Sequence, residues 1–158
     1  MYAYANGNPV SYTDPRGLSV QIIGSNSVAT AQLTAAYNQV ANTLTGGALI
    51  NALESSPILY TITNNILDPG DAYWDPNNNL ISVDPNFHPT LQTANACGRD
   101  EASTAIILAH ELGHAVRNDP YGHPENEWFN VLENENRVRL QMNLPLRTAY
   151  PPAPPSIY

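Results

Sequence analysis

Five apolar residues, Ala105-Ile106-Ile107-Leu108-Ala109, run without a break into His110-Glu111-Leu112-Gly113-His114, and this junction constrains the chain more than any other feature. The apolar run commits the segment to the interior. It delivers two histidines and a glutamate there, groups that are costly to bury unless something satisfies them. Residues four apart in a helix share a face, so His110 and His114 can present two imidazole nitrogens to one ion. Glu111 points to the side of that ion, where a zinc-activated water would sit and where a carboxylate can take its proton during attack on a carbonyl.

A catalytic zinc site normally has three protein ligands and one open position. One known continuation needs a glycine three residues and a histidine six residues past the second motif histidine. Those places hold Arg117 and Pro120, which excludes it. The other takes a glutamate from a following helix some twenty residues on, and Glu133 and Glu135 lie 19 and 21 positions after His114. Two residues apart on a helix, they point to nearly opposite sides. The apolar stripe Trp128, Val131, Leu132, Val138, Met142 passes through Glu135, whereas Glu133 lies with Asn126, Asn136 and Arg137 on the wetter side. Glu135 is therefore the expected third ligand, with Glu133 the alternative and Arg139, four residues after Glu135, placed to pair with it.

A chain of 158 residues is one domain, long enough to bury a core around a cleft. Fourteen acidic against six basic residues give a formal charge of −8, which argues against a nucleic-acid partner and favours, if anything, a basic one. No apolar run is long enough to span a membrane, and the N-terminus lacks the regions of a signal peptide. Export would use another route, or the chain is a piece of a larger exported protein. Cys97, the single cysteine, sits in a loop-like stretch and reads as an incidental thiol.

Along the chain, Leu18 to Ile23 reads as a strand, residues 28–44 as a helix stopped by Gly46-Gly47, and Ala48 to Leu53 as a second short helix. Ile58 to Thr63 suggests a strand, and Ala72-Tyr73-Trp74 with Leu80 to Val83 a β-hairpin, in which Tyr73 and Trp74 serve packing rather than substrate stacking. Asp100 is placed to cap the helix that carries the motif to Arg117, and Pro124 to open a helix reaching about Met142. The order suggests an α+β fold, a small sheet against a helical layer. His88 and His123, each beside a proline, read as structural or solvated.

Two segments resemble known families. Tyr2-Ala3-Tyr4-Ala5-Asn6-Gly7-Asn8-Pro9 with Asp14-Pro15-Arg16-Gly17-Leu18 closely resembles the segment that ends the core of Rhs and related YD-repeat proteins, with Gly7 where asparagine is usual. That resemblance implies a junction over 1–18, with cleavage after Leu18 releasing a C-terminal toxin payload. Glu135-Asn136-Arg137-Val138-Arg139 followed by Asn143-Leu144-Pro145-Leu146-Arg147-Thr148-Ala149-Tyr150 resembles a block of the NleD-like zinc metallopeptidases, and Leu80 to Pro85 and Leu108 to Ala115 also fit its pattern. Asn143 replaces the more usual glycine, a change that bears on the turn alone. The likeness covers most of residues 80–150. It implies a zincin-like fold over 19–150, with His110, His114 and Glu135 as zinc ligands and Glu111 as base, followed by a Pro-rich tail at 151–158. Arg147 and Tyr150 are a further candidate pair for holding the tetrahedral oxyanion, by analogy with the Arg-x-x-Tyr of clostridial neurotoxin light chains.

The leading expectation is a zinc metalloendopeptidase toxin, the secreted C-terminal payload of an Rhs-type protein, cleaving a protein inside a target cell. An edge strand near Leu80 to Val83 would bind extended substrate by main-chain pairing. The family further implies an immunity protein and the Rhs shell of the parent as partners, and type VI-like or contact-dependent delivery. Two alternatives remain: a zinc amidase acting on cell-wall peptide, and a non-catalytic binding module whose metal is structural.

Overall fold

The computed structural model describes residues 19–64, 71–119 and 124–149. The junction at 1–18, the tail at 151–158, His123 and Tyr150 lie outside the described residues.

The fold is α+β. A four-stranded sheet is built from β1 (Val20–Ile23), β2 (Tyr60–Thr63), β3 (Ala72–Asp75) and β4 (Leu80–Val83), in the order β1-β2-β4-β3. β1 and β2 run parallel, as do β2 and β4, while β3 returns antiparallel on β4 with Asp75 opposite Leu80. The hairpin turn is closed by Asn79, which takes the left-handed conformation at φ 50° and is one of the few residue types that tolerate it. β4 is thus an interior strand, paired on both sides, and cannot accept a substrate strand. β3 is the edge instead, because the short turn folds it back outside β4.

Two helices connect β1 to β2: α1 (Ser27–Ala41) and α2 (Leu44–Glu54). Asn26 caps the first by accepting from the Ala29 amide at 2.9 Å, and Thr43 caps the second through the Gly46 amide at 3.0 Å. The pair Gly46-Gly47 does not stop a helix, as its composition suggests; it lies inside α2. A Cβ on Gly46 would stand 2.3 Å from the Val40 carbonyl oxygen, so glycine here permits the tight corner between α1 and α2.

A second, two-stranded ribbon of β5 (Thr90–Gln92) and β6 (Arg99–Glu101) precedes the motif helix. It gave no sequence signal, its strands being only three residues long. Asp100 lies within β6, and Ser103 is the cap of α3 (Thr104–Arg117), its Oγ accepting from the Ile106 amide. Every residue from Ala105 to Ala115 is buried, packed against β3 and β4, against α1 and α2, and against the helical segment that follows. Asn118, left-handed at φ 51°, ends the helix.

The last helical segment is one rod in three parts: α4 (Pro124–Asn130), a π-helical turn over Val131–Glu135, and α5 (Asn136–Gln141). Such turns close i→i+5 and take an extra residue into the helix. Asn143 at φ 58° supplies the left-handed residue that follows, the role a glycine would fill.

Candidate metal centre and cleft

α3 holds His110 and His114 on the face that meets the α4–π rod, at 8% and 1% exposure. The rod can lie close because of Gly113. A Cβ there would stand 2.0 Å from Asn130 Oδ1, and the Asn130 side-chain amide donates to the His110 carbonyl at 2.7 Å. This close crossing carries Glu127, from the first helical part of the rod, directly over the two rings.

The Nε2 atoms of His110 and His114 lie 3.1 Å apart, and each is 3.1 Å from Glu127 Oε2. Among the described residues these three side chains form the group able to hold a metal ion. A tetrahedral ion with bonds of about 2.0–2.1 Å would set its ligand atoms about 3.3–3.4 Å apart, so the triangle is nearly the right size. The other ring nitrogens have carboxylate partners: His110 Nδ1 meets Glu135 Oε2 at 3.1 Å and His114 Nδ1 meets Asp119 Oδ1 at 2.7 Å. We assign the Nδ1–H tautomer to both rings from these contacts. Two imidazole lone pairs and a carboxylate oxygen then converge, a donor set that a cation completes.

Glu127, and not Glu135, is therefore the carboxylate that completes this candidate group. Glu135 is displaced by one shell. Its carboxylate is 1% exposed and gathers three cationic or N–H donors: His110 Nδ1, Arg139 Nε at 2.9 Å and Arg147 Nη1 at 2.9 Å. Glu133 points away and pairs with Arg137 near the surface. Sequence reasoning missed Glu127 because it looked some twenty residues past His114, whereas the rod turns back at once and reaches the rings thirteen residues on. Asp119 was missed as well, although an acid five residues after a motif histidine is a usable signal.

Charge in this cluster is shared. Burial opposes the imidazolium of His110, yet its hydrogen bonds to Glu127 and Glu135 outweigh that and raise its pKa to about 10. His114 is raised too, burial opposing and the Glu127 bond favouring its charge. Burial works to raise both Glu127 and Glu135, but the histidine hydrogen bonds dominate; Glu127 falls well below the usual carboxylate range and Glu135 to about 2. A proton can thus occupy the place a metal ion would take.

Glu111 differs from all of these. Burial pushes its pKa up to about 7, against the pull of His110 and His114, and its Oε2 is buried without a hydrogen-bond partner. Such an orphaned carboxylate oxygen is expensive unless it has a task. Glu111 lines a cavity of about 740 Å³ together with His110, Glu135 and Arg147. Arg147 is held in place at several points. Asn136 bonds its amide at 2.7 Å and its carbonyl at 2.9 Å, and its Nε donates to the Ala149 carbonyl at 3.1 Å. Arg139 adds a bond to the Pro145 carbonyl at 3.2 Å. The Glu135-Asn136…Arg139…Arg147 block is thus one hydrogen-bonded unit behind the ring of His110.

His88 is structural, its Nδ1 bonded to the Ala102 carbonyl at 3.0 Å, and Cys97 is an exposed thiol at the tip of the β5–β6 ribbon. Trp74 is buried against Tyr60, as a packing residue. No protein-family model, curated protein or solved structure matches the chain. No described helix is long and apolar enough to cross a membrane.

Proposed function

We propose that the chain is a zinc-dependent peptidase of zincin type. One observation carries the reading: three converging ligand atoms at 3.1 Å stand beside Glu111, a buried glutamate that lines a large cavity and has one carboxylate oxygen without a hydrogen-bond partner. The donor chemistry of two imidazoles and a carboxylate suits zinc. A zinc ion held there by His110, His114 and Glu127 would supply Lewis-acid polarisation of a carbonyl and acidify water.

The protein's own groups do the rest. Glu111 accepts a proton from the attacking water at its carboxylate and returns it to the amine nitrogen as the peptide C–N bond breaks. Its raised pKa places it near neutrality, suited to both halves of that transfer. Glu135 and Asp119 fix the ring orientations of His110 and His114. Arg147, fastened to Glu135, presents a cation to the cavity where negative charge would develop on the carbonyl oxygen. β3 contributes Ala72 to the same cavity, so an extended substrate can pair along that edge.

The resemblance over 1–18 supports reading this peptidase as the payload of an Rhs-type protein, acting on a protein of a target cell, with a cognate immunity protein in the producer. Growth arrest on expression of the wild type and of Glu111→Gln, with metal assayed on both purified proteins, tests it. The expected result is full metal content in both and loss of toxicity in the variant. Equal toxicity would overturn the catalytic reading.

A further inference from the structure

All six basic residues of the chain are arginines, set among fourteen acids. Of the five described, Arg117 pairs with Asp119, Arg137 with Glu133, and Arg139 and Arg147 with Glu135. Arg99 has no carboxylate partner among the described residues, and it is also one that lines the cavity. In so acidic a chain an arginine left unpaired is notable, because its own strand offers Asp100 and Glu101. Asp100 points to the other face of β6, and Glu101, two residues along on the same face, makes no ion pair with Arg99.

The backbone beneath Arg99 is fixed. Its amide donates to Asn95 Oδ1 at 3.0 Å, and the Thr93 amide donates to Gly98 at 3.0 Å across the ribbon. The ribbon in turn is tied to the chain around Arg147 by Ala94 to Leu146 at 2.8 Å and Thr148 to Gln92 at 2.9 Å. The cavity holds charges of both signs. Glu111 and Asp71 bring negative charge to it, Arg147 is a cation already paired with Glu135, Arg99 brings an unpaired positive charge on the ribbon, and Phe87, Leu91 and Ile107 line apolar wall.

We propose that Arg99 is a specificity-determining residue that selects substrates with an acidic side chain at one fixed position near the scissile bond. An aspartate or glutamate is repelled by Glu111 and held by Arg99, which sets the register of the peptide along the cleft. This rests on the peptidase reading above. A hydrogen-bonded contact between a guanidinium and a carboxylate at the rim of a cleft gives roughly tenfold selectivity for glutamate over glutamine at that position.

The test digests a degenerate peptide library with the zinc-loaded full chain and with Arg99→Ala and Arg99→Glu, and sequences the products. Expected is an enrichment of Asp and Glu at one position for the wild type, its loss in Arg99→Ala, and a switch toward Lys and Arg in Arg99→Glu. A cleaved glutamate peptide should bind the chelator-treated wild type, followed by fluorescence anisotropy, roughly tenfold tighter than chelator-treated Arg99→Ala at low salt. Cleavage without acidic enrichment, or an Arg99→Glu profile identical to the wild type, overturns the proposal and leaves the peptidase reading standing. A metal-loaded protein that cuts no peptide overturns both.

Discussion

Replacing Glu127 and Glu135 in turn separates a metal ligand from the frame behind it. Glu127 Oε2 stands 3.1 Å from both Nε2 atoms, so Glu127→Ala removes one of three protein ligands. Structural zinc binding is worth about 10–16 kcal/mol in small domains, hence roughly 3–4 kcal/mol per ligand, or two to three orders of magnitude in affinity. Glu135 touches the same ring only through Nδ1. Loss of such an outer partner costs about 10–100-fold. Stability should rank the other way. Glu135 holds Arg139 and Arg147, both largely buried, so Glu135→Gln weakens two buried ion pairs at about 2–4 kcal/mol, while Glu127→Ala leaves those pairs intact. Zinc competition against a chromophoric chelator gives the affinities, and urea unfolding of chelator-treated protein gives the stabilities. Should Glu135→Gln cost more zinc affinity than Glu127→Ala, the assignment of Glu127 as ligand is refuted.

Three further outcomes follow from the same contacts. Gly113→Ala should destabilise the protein by about 1–3 kcal/mol in thermal or urea unfolding, because the contact with Asn130 at 2.0 Å outweighs the ~1 kcal/mol that alanine normally adds to a helix. A stabilised variant would mean that the rod does not cross there. The Glu111 carboxyl has its folded pKa raised from 4.5 to about 7, so the contribution of this one group to the stability of the chelator-treated protein should fall as pH rises from about 4.5 to 7 and level off above, and the difference from Glu111→Gln isolates it from the histidines that titrate at higher pH. Glu111→Gln carries no such penalty, so it should be up to about 3 kcal/mol more stable than wild type at pH 8 and equal to it near pH 4; a constant difference across that range refutes the burial argument. Zinc affinity should fall as pH is lowered from 9 to 6, since the proton that His110 holds up to about pH 10 competes for the same nitrogen; calorimetry in buffers of different ionisation enthalpy should show proton release on binding.

Much of the fold was legible where local rules decide it. The buried run Ala105 to Ala109 placed α3, the Asp75-Pro76-Asn77-Asn78-Asn79 turn placed the β3–β4 hairpin, and Pro124 placed the start of the last helix. Sheet order was not legible, since four-residue strands do not state their neighbours, and β4 was mistaken for an edge. Gly46-Gly47 misled for a similar reason: a glycine that breaks a free helix is the one residue that fits where two helices meet at a corner.

The candidate metal site shows how a single backbone irregularity can hide a candidate ligand. On a regular α-helix, eight residues advance about 80° beyond two full turns, so Glu127 and Glu135 would lie on different faces and a stripe drawn through Glu135 would leave Glu127 aside. The π turn over Val131–Glu135 lies between them and absorbs about one extra residue, taking up most of that offset. Both carboxylates then face α3, one at each nitrogen of His110. A buried carboxylate at Glu135 was correctly inferred from periodicity, but burial alone does not say which nitrogen of a histidine it meets. That choice was made by the depth at which the rod crosses α3, which Gly113 sets by having no side chain to hold the rod away.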